Sequence, residues 1–171
     1  ALLRRTGRYA EAEALVRESL AIYRRRLGGD NDHVAAGLVT LAGILIKQDR
    51  HAEAEAMLRE ALDLYRRHRG PGHLYVGVTL NTLATTLMAR RAYADAEPVL
   101  QQALALYRAN LPADHPWLAG ALCTLGRLYD ERGDAAAALP PLEESLALRR
   151  AALPPDHPDL AESLLGLGRV R

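Results

Sequence analysis

The chain has 171 residues, 49% of them hydrophobic and 25% charged, which is enough apolar side chain for a real core. Its 22 basic and 21 acidic residues leave a net charge of +1, a balance that argues against a nucleic-acid arm, an acidic tail or an electrostatic membrane anchor. No apolar run approaches the roughly 20 residues of a bilayer span, no signal peptide is visible, and a single cysteine, Cys123, rules out an internal disulfide and points to a reducing, cytoplasmic setting.

Phenylalanine is absent while Ala, Leu and Arg dominate, a composition that favours helix. In chain order, Ala1 to Thr6 reads as the tail of a first helix, with Leu3 in register with Leu45. Gly7-Arg8-Tyr9 reads as the turn into a second helix, which closes a unit over residues 1–27. Units over 32–69, 74–111 and 116–153 follow, and 158–171 forms a terminal first helix without a partner. The turns inside the later units are Asp49-Arg50-His51, Arg91-Ala92-Tyr93 and Gly133-Asp134-Ala135. Glycine suits the left-handed position of such a turn, and Arg91 tolerates it less well. Pro116 and Pro158 fit the first position of the helices they open. Pro98 and Pro140-Pro141 fall in the opening turns of second helices, which are therefore expected to start late or bend.

These units are copies of one another at an offset of 42 residues, with no insertion or deletion. Glu11-Ala12-Glu13 returns as Glu53-Ala54-Glu55 and Asp95-Ala96-Glu97. Leu20, Leu62, Leu104 and Leu146 stand in register, as do Tyr23, Tyr65 and Tyr107. Asp114-His115-Pro116 returns as Asp156-His157-Pro158, with Gly72-His73 and Asp30-Asn31 as weaker copies. Leu38, Leu41, Ala42 and Leu45 fall at i, i+3, i+4 and i+7, one stripe of a helix, and Ala54, Leu58, Ala61, Leu62 and Tyr65 form another. Ala or Gly at 42, 84, 126 and 168 suits close approach of neighbouring helices. One hairpin cannot bury both its apolar faces, so the units are expected to stack. Neither end shows a polar capping helix, which suggests a piece of a longer protein.

The hairpin with Leu-(x)2-Leu-Ala in its first helix and Ala-(x)3-Leu-(x)2-Ala-Leu in its second resembles the tetratricopeptide repeat. The 42-residue length, Gly7-Arg8-Tyr9-Ala10-Glu11-Ala12-Glu13 and Asp114-His115-Pro116 are similar to the kinesin-light-chain type of that repeat. The resemblance implies an all-α fold, a right-handed α-solenoid of about four repeats, with a concave face lined by first helices. It also implies a non-enzymatic scaffold for protein–protein interaction, without cofactors, often a module of a larger bacterial signalling protein. Kinesin light chains place asparagine just before the Leu-Ala pair. Here those positions hold Thr40, Thr82, Thr124 and Gly166, so a kinesin-like cargo specificity is not supported. The basic clamp of chaperone-binding relatives is absent too.

With the leucine stripe facing the core, the opposite register faces the groove. It holds Val39, Asn81 and Cys123; Thr40, Thr82 and Thr124; Gly43, Thr85 and Arg127; and Ile46, Met88 and Asp130. The candidate binding residues are therefore Val39, Thr40, Asn81, Thr82, Thr85, Met88, Cys123, Thr124, Arg127 and Asp130. Hydroxyls and one amide suit the main chain of an extended, largely uncharged peptide. The plainer alternative is an unused scaffold surface.

Other constellations point away from chemistry. His73, His115 and His157 lie one repeat apart, about 10 Å or more, where a zinc–nitrogen bond needs about 2 Å; capping or turn roles fit them better. Cys123 and His115 lie on either side of a helix start and lack an oxyanion donor or third group. Arg24-Arg25-Arg26, Arg66-Arg67-His68-Arg69 and Arg149-Arg150 sit at ends of second helices, with Glu11, Glu13, Glu53 and Glu55 near the starts, as a solvated surface matched to the helix dipole. Without interleaved aromatics, nucleic-acid binding through these ends is a distant alternative. The tyrosines are expected to pack between repeats with their hydroxyls near water. A second functional class is architectural, with self-association through the apolar end faces.

Overall fold

The computed structural model describes residues 2–171, with side chains from Arg8 onward. Its eight described helices are α1 (Leu2–Leu27), α2 (Asp32–Lys47), α3 (His51–Arg69), α4 (Leu74–Ala89), α5 (Tyr93–Asn110), α6 (Pro116–Glu131), α7 (Ala135–Ala152) and α8 (Pro158–Val170). No strand occurs among the described residues, and the fold is an all-α series of tandem hairpins. The chain divides into two compact units, Ala1–Arg91 with α1 to α4 and Ala92–Arg171 with α5 to α8. The expected pairing of Leu3 with Leu45 falls on a side chain outside the described residues.

Helix starts repeat with the sequence. Ahead of α2, the backbone N–H groups of His33 and Val34 donate to Asn31 Oδ1 at 2.9 and 3.1 Å. One repeat on, and then twice more, a histidine does the same work. Nδ1 of His73, His115 and His157 accepts from the N–H of Tyr75, Trp117 and Asp159 at 3.1, 3.1 and 3.2 Å. The loop histidines are thus N-caps, each satisfying one donor that the first turn leaves orphaned. Helix ends repeat as well. After α2, Arg50 N–H bonds Leu45 O at 2.9 Å and Asp49 N–H bonds Ile46 O at 3.1 Å. Asp134 and Gly133 repeat the pattern on Tyr129 and Asp130 after α6, each at 2.9 Å. This is the Schellman arrangement, whose middle residue must be left-handed. That residue is Asp49 (φ 59°) after α2 and Gly133 (φ 80°) after α6, and Arg91 after α4 is left-handed as well (φ 59°).

The apolar stripes are the core. Leu38, Leu41, Ala42 and Leu45 on α2 and Ala54, Leu58, Ala61, Leu62 and Tyr65 on α3 are all buried. In the second unit, Ala96, Leu100, Ala103, Leu104 and Tyr107 on α5 occupy the same register. A cluster of Cys123, Ala138, Leu142, Leu146, Leu160 and Leu167 ties α6, α7 and α8 together. Close approach is real at Gly126, where a Cβ would collide with the Leu142 side chain and stand 3.2 Å from the Ala138 carbonyl oxygen.

Four expectations need correction. Residues 7–9 form no turn, because α1 runs unbroken from Leu2 to Leu27. Neither α5 nor α7 starts late: they begin at Tyr93 and Ala135, in register with His51 of α3, and carry Pro98 and Pro140-Pro141 inside. The carbonyls that lose a partner at Pro98 and Pro140 belong to Ala94 and Ala136, both exposed, where water can replace the missing N–H. Gly168 permits no close contact, since nothing lies within 4 Å of a Cβ built there. Glu13 and Glu55 are not residues of solvated first turns. Glu13 lies midway along α1, and Glu55 is only 5% exposed.

Candidate functional site

Each first helix turns one narrow stripe outward. On α4 it comprises Val78, Asn81, Thr82 and Thr85 at i, i+3, i+4 and i+7, all partly buried, whereas Val76, Leu80, Leu83 and Leu87 behind them are at most 4% exposed. The same register on α2 gives Ala36, Val39, Thr40 and Gly43, and on α6 it gives Gly120, Cys123, Thr124 and Arg127, of which Cys123 is buried. Val39, Thr40, Asn81, Thr82, Thr85, Thr124 and Arg127 therefore lie on outward stripes of their own units. The other three candidates do not. Met88 is 4% exposed, rotated about 80° from the stripe's centre. Cys123 is 5% exposed and packs into the α6–α7–α8 cluster. Asp130 is partly buried and is bound by Arg169 at 3.1 Å.

The chemistry of the stripe is narrower than its composition suggests. Thr40 Oγ1 donates to Ala36 O at 2.9 Å, Thr82 to Val78 O at 3.1 Å, Thr85 to Thr82 O at 2.8 Å and Thr124 to Gly120 O at 3.0 Å. Each of these hydroxyls is engaged inside its own helix, so the threonines offer only their lone pairs outward. Asn81 Oδ1 is buried and has no hydrogen-bond partner. Arg127 Nε is in the same condition, although its guanidinium lies 3.9 Å from Glu131.

Two periodic devices beside the stripe escaped the sequence reading. The first is aromatic. Tyr23 stacks on His33 at 5.2 Å between ring centroids, Tyr65 meets Tyr75 at 5.5 Å and Tyr107 meets Trp117 at 6.0 Å. Each pair joins the end of a second helix to the start of the next first helix. The tyrosines do pack between repeats, and burial pushes the Tyr107 hydroxyl up to about 12. The partners escaped notice because position 33/75/117 changes residue type at every copy. The second device is ionic. Glu55 on α3 binds Arg90 at the end of α4, and Glu97 on α5 binds both Arg132 and the Tyr129 hydroxyl at the end of α6. The glutamate series was visible in the sequence, but its partners lie a full helix away.

Several charges at the second-helix ends are paired, while Arg25, Arg26, Arg66 and Arg150 are exposed. Arg24 binds Glu60 at 2.6 Å, Arg67 binds Asp30 at 2.9 Å, Arg108 binds Glu144 at 3.0 Å, and Arg69 binds Asp32. Arg149 departs from the expected solvated surface. It is 6% exposed and donates to Asp159 O, Ser163 Oγ and Glu162 Oε2 at 2.6, 2.8 and 2.9 Å. Burial pushes the Cys123 thiol up, away from the reactive thiolate, and His115 Nδ1 is occupied as a cap. Among the described residues no group of three or more His, Cys, Asp or Glu could hold a metal ion, and no helix is long and apolar enough to cross a membrane.

Helical hairpins repeated at a constant interval, packed on one another within each unit, define a helical-repeat protein whose open surface consists of side-chain stripes. The chain belongs to the tetratricopeptide repeat family, whose profile matches residues 1–67, 33–109 and 75–151. Arrays of this family are, in general, scaffolds for protein–protein interaction and typically carry no catalysis. No curated protein sequence matches the chain. Among solved structures it is similar to BtubC (BKLC) from P. vanneervenii, with a TM-score of 0.88 and 24% identity over 98% of this chain and 66% of that one. It is also similar to a Podosopora anserina structure described as kinesin light chain nearly identical TPR-like repeats. That match has a TM-score of 0.82 and 23% identity, over 97% of this chain and 79% of the other. A single-substitution variant of the same protein gives 0.83 at 23% identity, over 97% and 78%.

Proposed function

We propose that the chain holds an extended, largely uncharged segment of a partner protein along the outward stripes of the first helices α2 and α4, as an interaction or regulatory module of a larger signalling protein. One observation carries the reading. Val39, Thr40, Asn81, Thr82 and Thr85 form small, uncharged, partly open surface on helices whose other faces are buried, while the neighbouring helix ends are stitched by ion pairs. Such a surface suits a main chain rather than a charged ligand. The pairing of Arg24, Arg67, Arg69 and Arg108 with carboxylates weighs against a nucleic-acid backbone as ligand. The test is to capture a partner with the intact chain and titrate it against Asn81→Ala and Thr40→Ala. Each substitution is expected to weaken binding about threefold to tenfold. Unchanged affinity in both would remove the stripes from consideration.

A second reading, self-association, has its own support. Leu164 and Leu165 on α8 are 47% and 70% exposed, beside a cleft of about 410 Å³ between α7 and α8 lined by Leu146, Ala147, Leu164 and Leu167. Light scattering over a concentration series separates the two, since a chain that stays monomeric at high concentration has no use for that face.

A further inference from the structure

We infer that Trp117, with Asp114 in the loop just before it, receives the guanidinium of an arginine carried by a partner protein. The inference does not depend on the α2 and α4 stripes.

The two units build this edge alike. Tyr75 meets Tyr65 at 5.5 Å between centroids with a tilt of 49°, and His73 edge-on at 5.0 Å. One repeat later, Trp117 meets Tyr107 at 6.0 Å with a tilt of 43°, and His115 edge-on at 5.1 Å. What differs is the neighbour of the outer ring. Arg69 holds its guanidinium carbon 5.9 Å from the Tyr75 centroid and is itself bound to a carboxylate, Asp32. The residue 42 positions after Arg69 is Leu111, and among the described residues no guanidinium lies over Trp117. The indole is 46% exposed and is the stronger ring for such a contact.

Charge at the edge suits an incoming cation. No lysine or arginine falls between Arg108 and Arg127 or between Arg150 and Arg169, so the α5–α6 and α7–α8 loops carry Asp114 and Asp156 without basic residues. Both aspartates are exposed, and neither side chain has an ion pair or hydrogen bond among the described residues. Asp114 and Asp159 line one depression together with Pro116 and Leu153. Arg149 also reaches that depression, but Asp159 O, Ser163 and Glu162 already engage it. A partner's arginine would thus find a ring and an unpaired carboxylate, the two contacts that Arg69 makes in the first unit. A lysine fits less well, because its ammonium is more strongly hydrated and does not stack on a ring.

Trp117 is the single tryptophan, so the NMR signal of its indole N–H reports on this edge alone. The intact chain is titrated with acetyl-Ala-Arg-Ala-amide and with its lysine and citrulline counterparts, citrulline keeping the shape without the charge. The arginine peptide is expected to shift the signal saturably with a Kd on the order of millimolar, the lysine peptide to bind about threefold more weakly and the citrulline peptide about tenfold. Asp114→Asn is expected to weaken the arginine peptide about threefold. Leu111→Arg, which restores the residue of the first unit, should shift the indole signal with no peptide present, and Leu111→Gln should not. No saturable shift, equal binding of the arginine and citrulline peptides, or equal binding of the lysine peptide would overturn the assignment of an arginine to this ring. An arginine titration unchanged in Asp114→Asn would remove the carboxylate from the site. A dimer seen by sedimentation and abolished by Trp117→Ala would give the ring to a second copy of this chain and overturn the partner.

Discussion

The junction between α3 and α4 and the junction between α7 and α8 occupy the same place in the repeat and are built from opposite chemistries. At the first, Tyr65 is 6% exposed and packs on Tyr75, which also meets the His73 cap at 5.0 Å and lies 5.9 Å from the Arg69 guanidinium carbon. At the second, Arg149 takes the place of Tyr65 and is equally buried, while Asp159 takes the place of Tyr75. The neighbours change in step. Ser145 replaces Ala61 and donates to Ala119 O at 2.8 Å, and Ser163 stands within 3.1 Å of Ser145 and 2.8 Å of Arg149. The position thus requires a long side chain that bridges a second helix to the start of the next first helix. Its polarity is open, provided every buried polar atom around it finds a partner.

The largest way to break this comparison is to remove the bridge at the aromatic junction. Tyr65→Ala empties a buried, well-packed site and is expected to cost about 3 kcal/mol, read as faster amide exchange across α3 and α4. A loss under about 1 kcal/mol would mean that the ring is not what joins those helices. Next in size is Arg149→Tyr, which restores the residue of the other repeats at the polar junction. It should destabilise α8 by about 2 kcal/mol, because the Asp159 carbonyl and the Ser163 hydroxyl lose their donor. Adding Asp159→Trp rebuilds the pairing seen at Tyr107 and Trp117 and is expected to recover part of the loss. If the single substitution already stabilises α8, the polar cluster is not a matched set.

A smaller effect separates two hairpin turns. The left-handed residue after α6 is Gly133, while the one after α4 is Arg91 at φ 59°. A side chain there costs about 1 kcal/mol, so Arg91→Gly is expected to raise stability by roughly that amount in denaturant titration, and Gly133→Arg to lower it by as much. This contrast was legible in the sequence, as were the hairpins, the core stripes and the histidine caps, because each is set by local spacing or by one residue's backbone preference. The outward stripe was legible as a register but not as a chemistry. That Thr40, Thr82, Thr85 and Thr124 all turn their protons back onto the helix depends on side-chain rotamers, while Met88 is buried by its angular position on α4 and Cys123 by packing against α7 and α8. The continuous α1 and the Arg149 cluster were hidden for another reason. Both break the repeat, and a reading built on periodicity carries the consensus over the exception.

The smallest effect concerns acid, and its sign can be worked out for the first unit. Three carboxylates there are held below their ordinary range: Glu13, chiefly by its hydrogen bond from Arg17; Asp30, by His68 and then Arg67; and Glu53, by Arg50. A carboxylate whose folded pKa is depressed contributes stability that is complete above its unfolded value, about 4, and disappears as pH falls through the folded value. The first unit should therefore loosen below about pH 4, seen as faster amide exchange at the α1–α2 loop, where Asp30 sits, and at the start of α3, where Arg50 bridges Glu13 and Glu53. These groups lie at the surface, so the effect is modest and should fade in 0.5 M salt. The junction at Arg149 provides the contrast, because two of its three bonds run to a carbonyl and a hydroxyl, which do not titrate in acid. An α7–α8 junction that opened before the α1–α2 loop on acidification would mean that Glu162, the third partner of Arg149, holds the second unit together more than the neutral acceptors do.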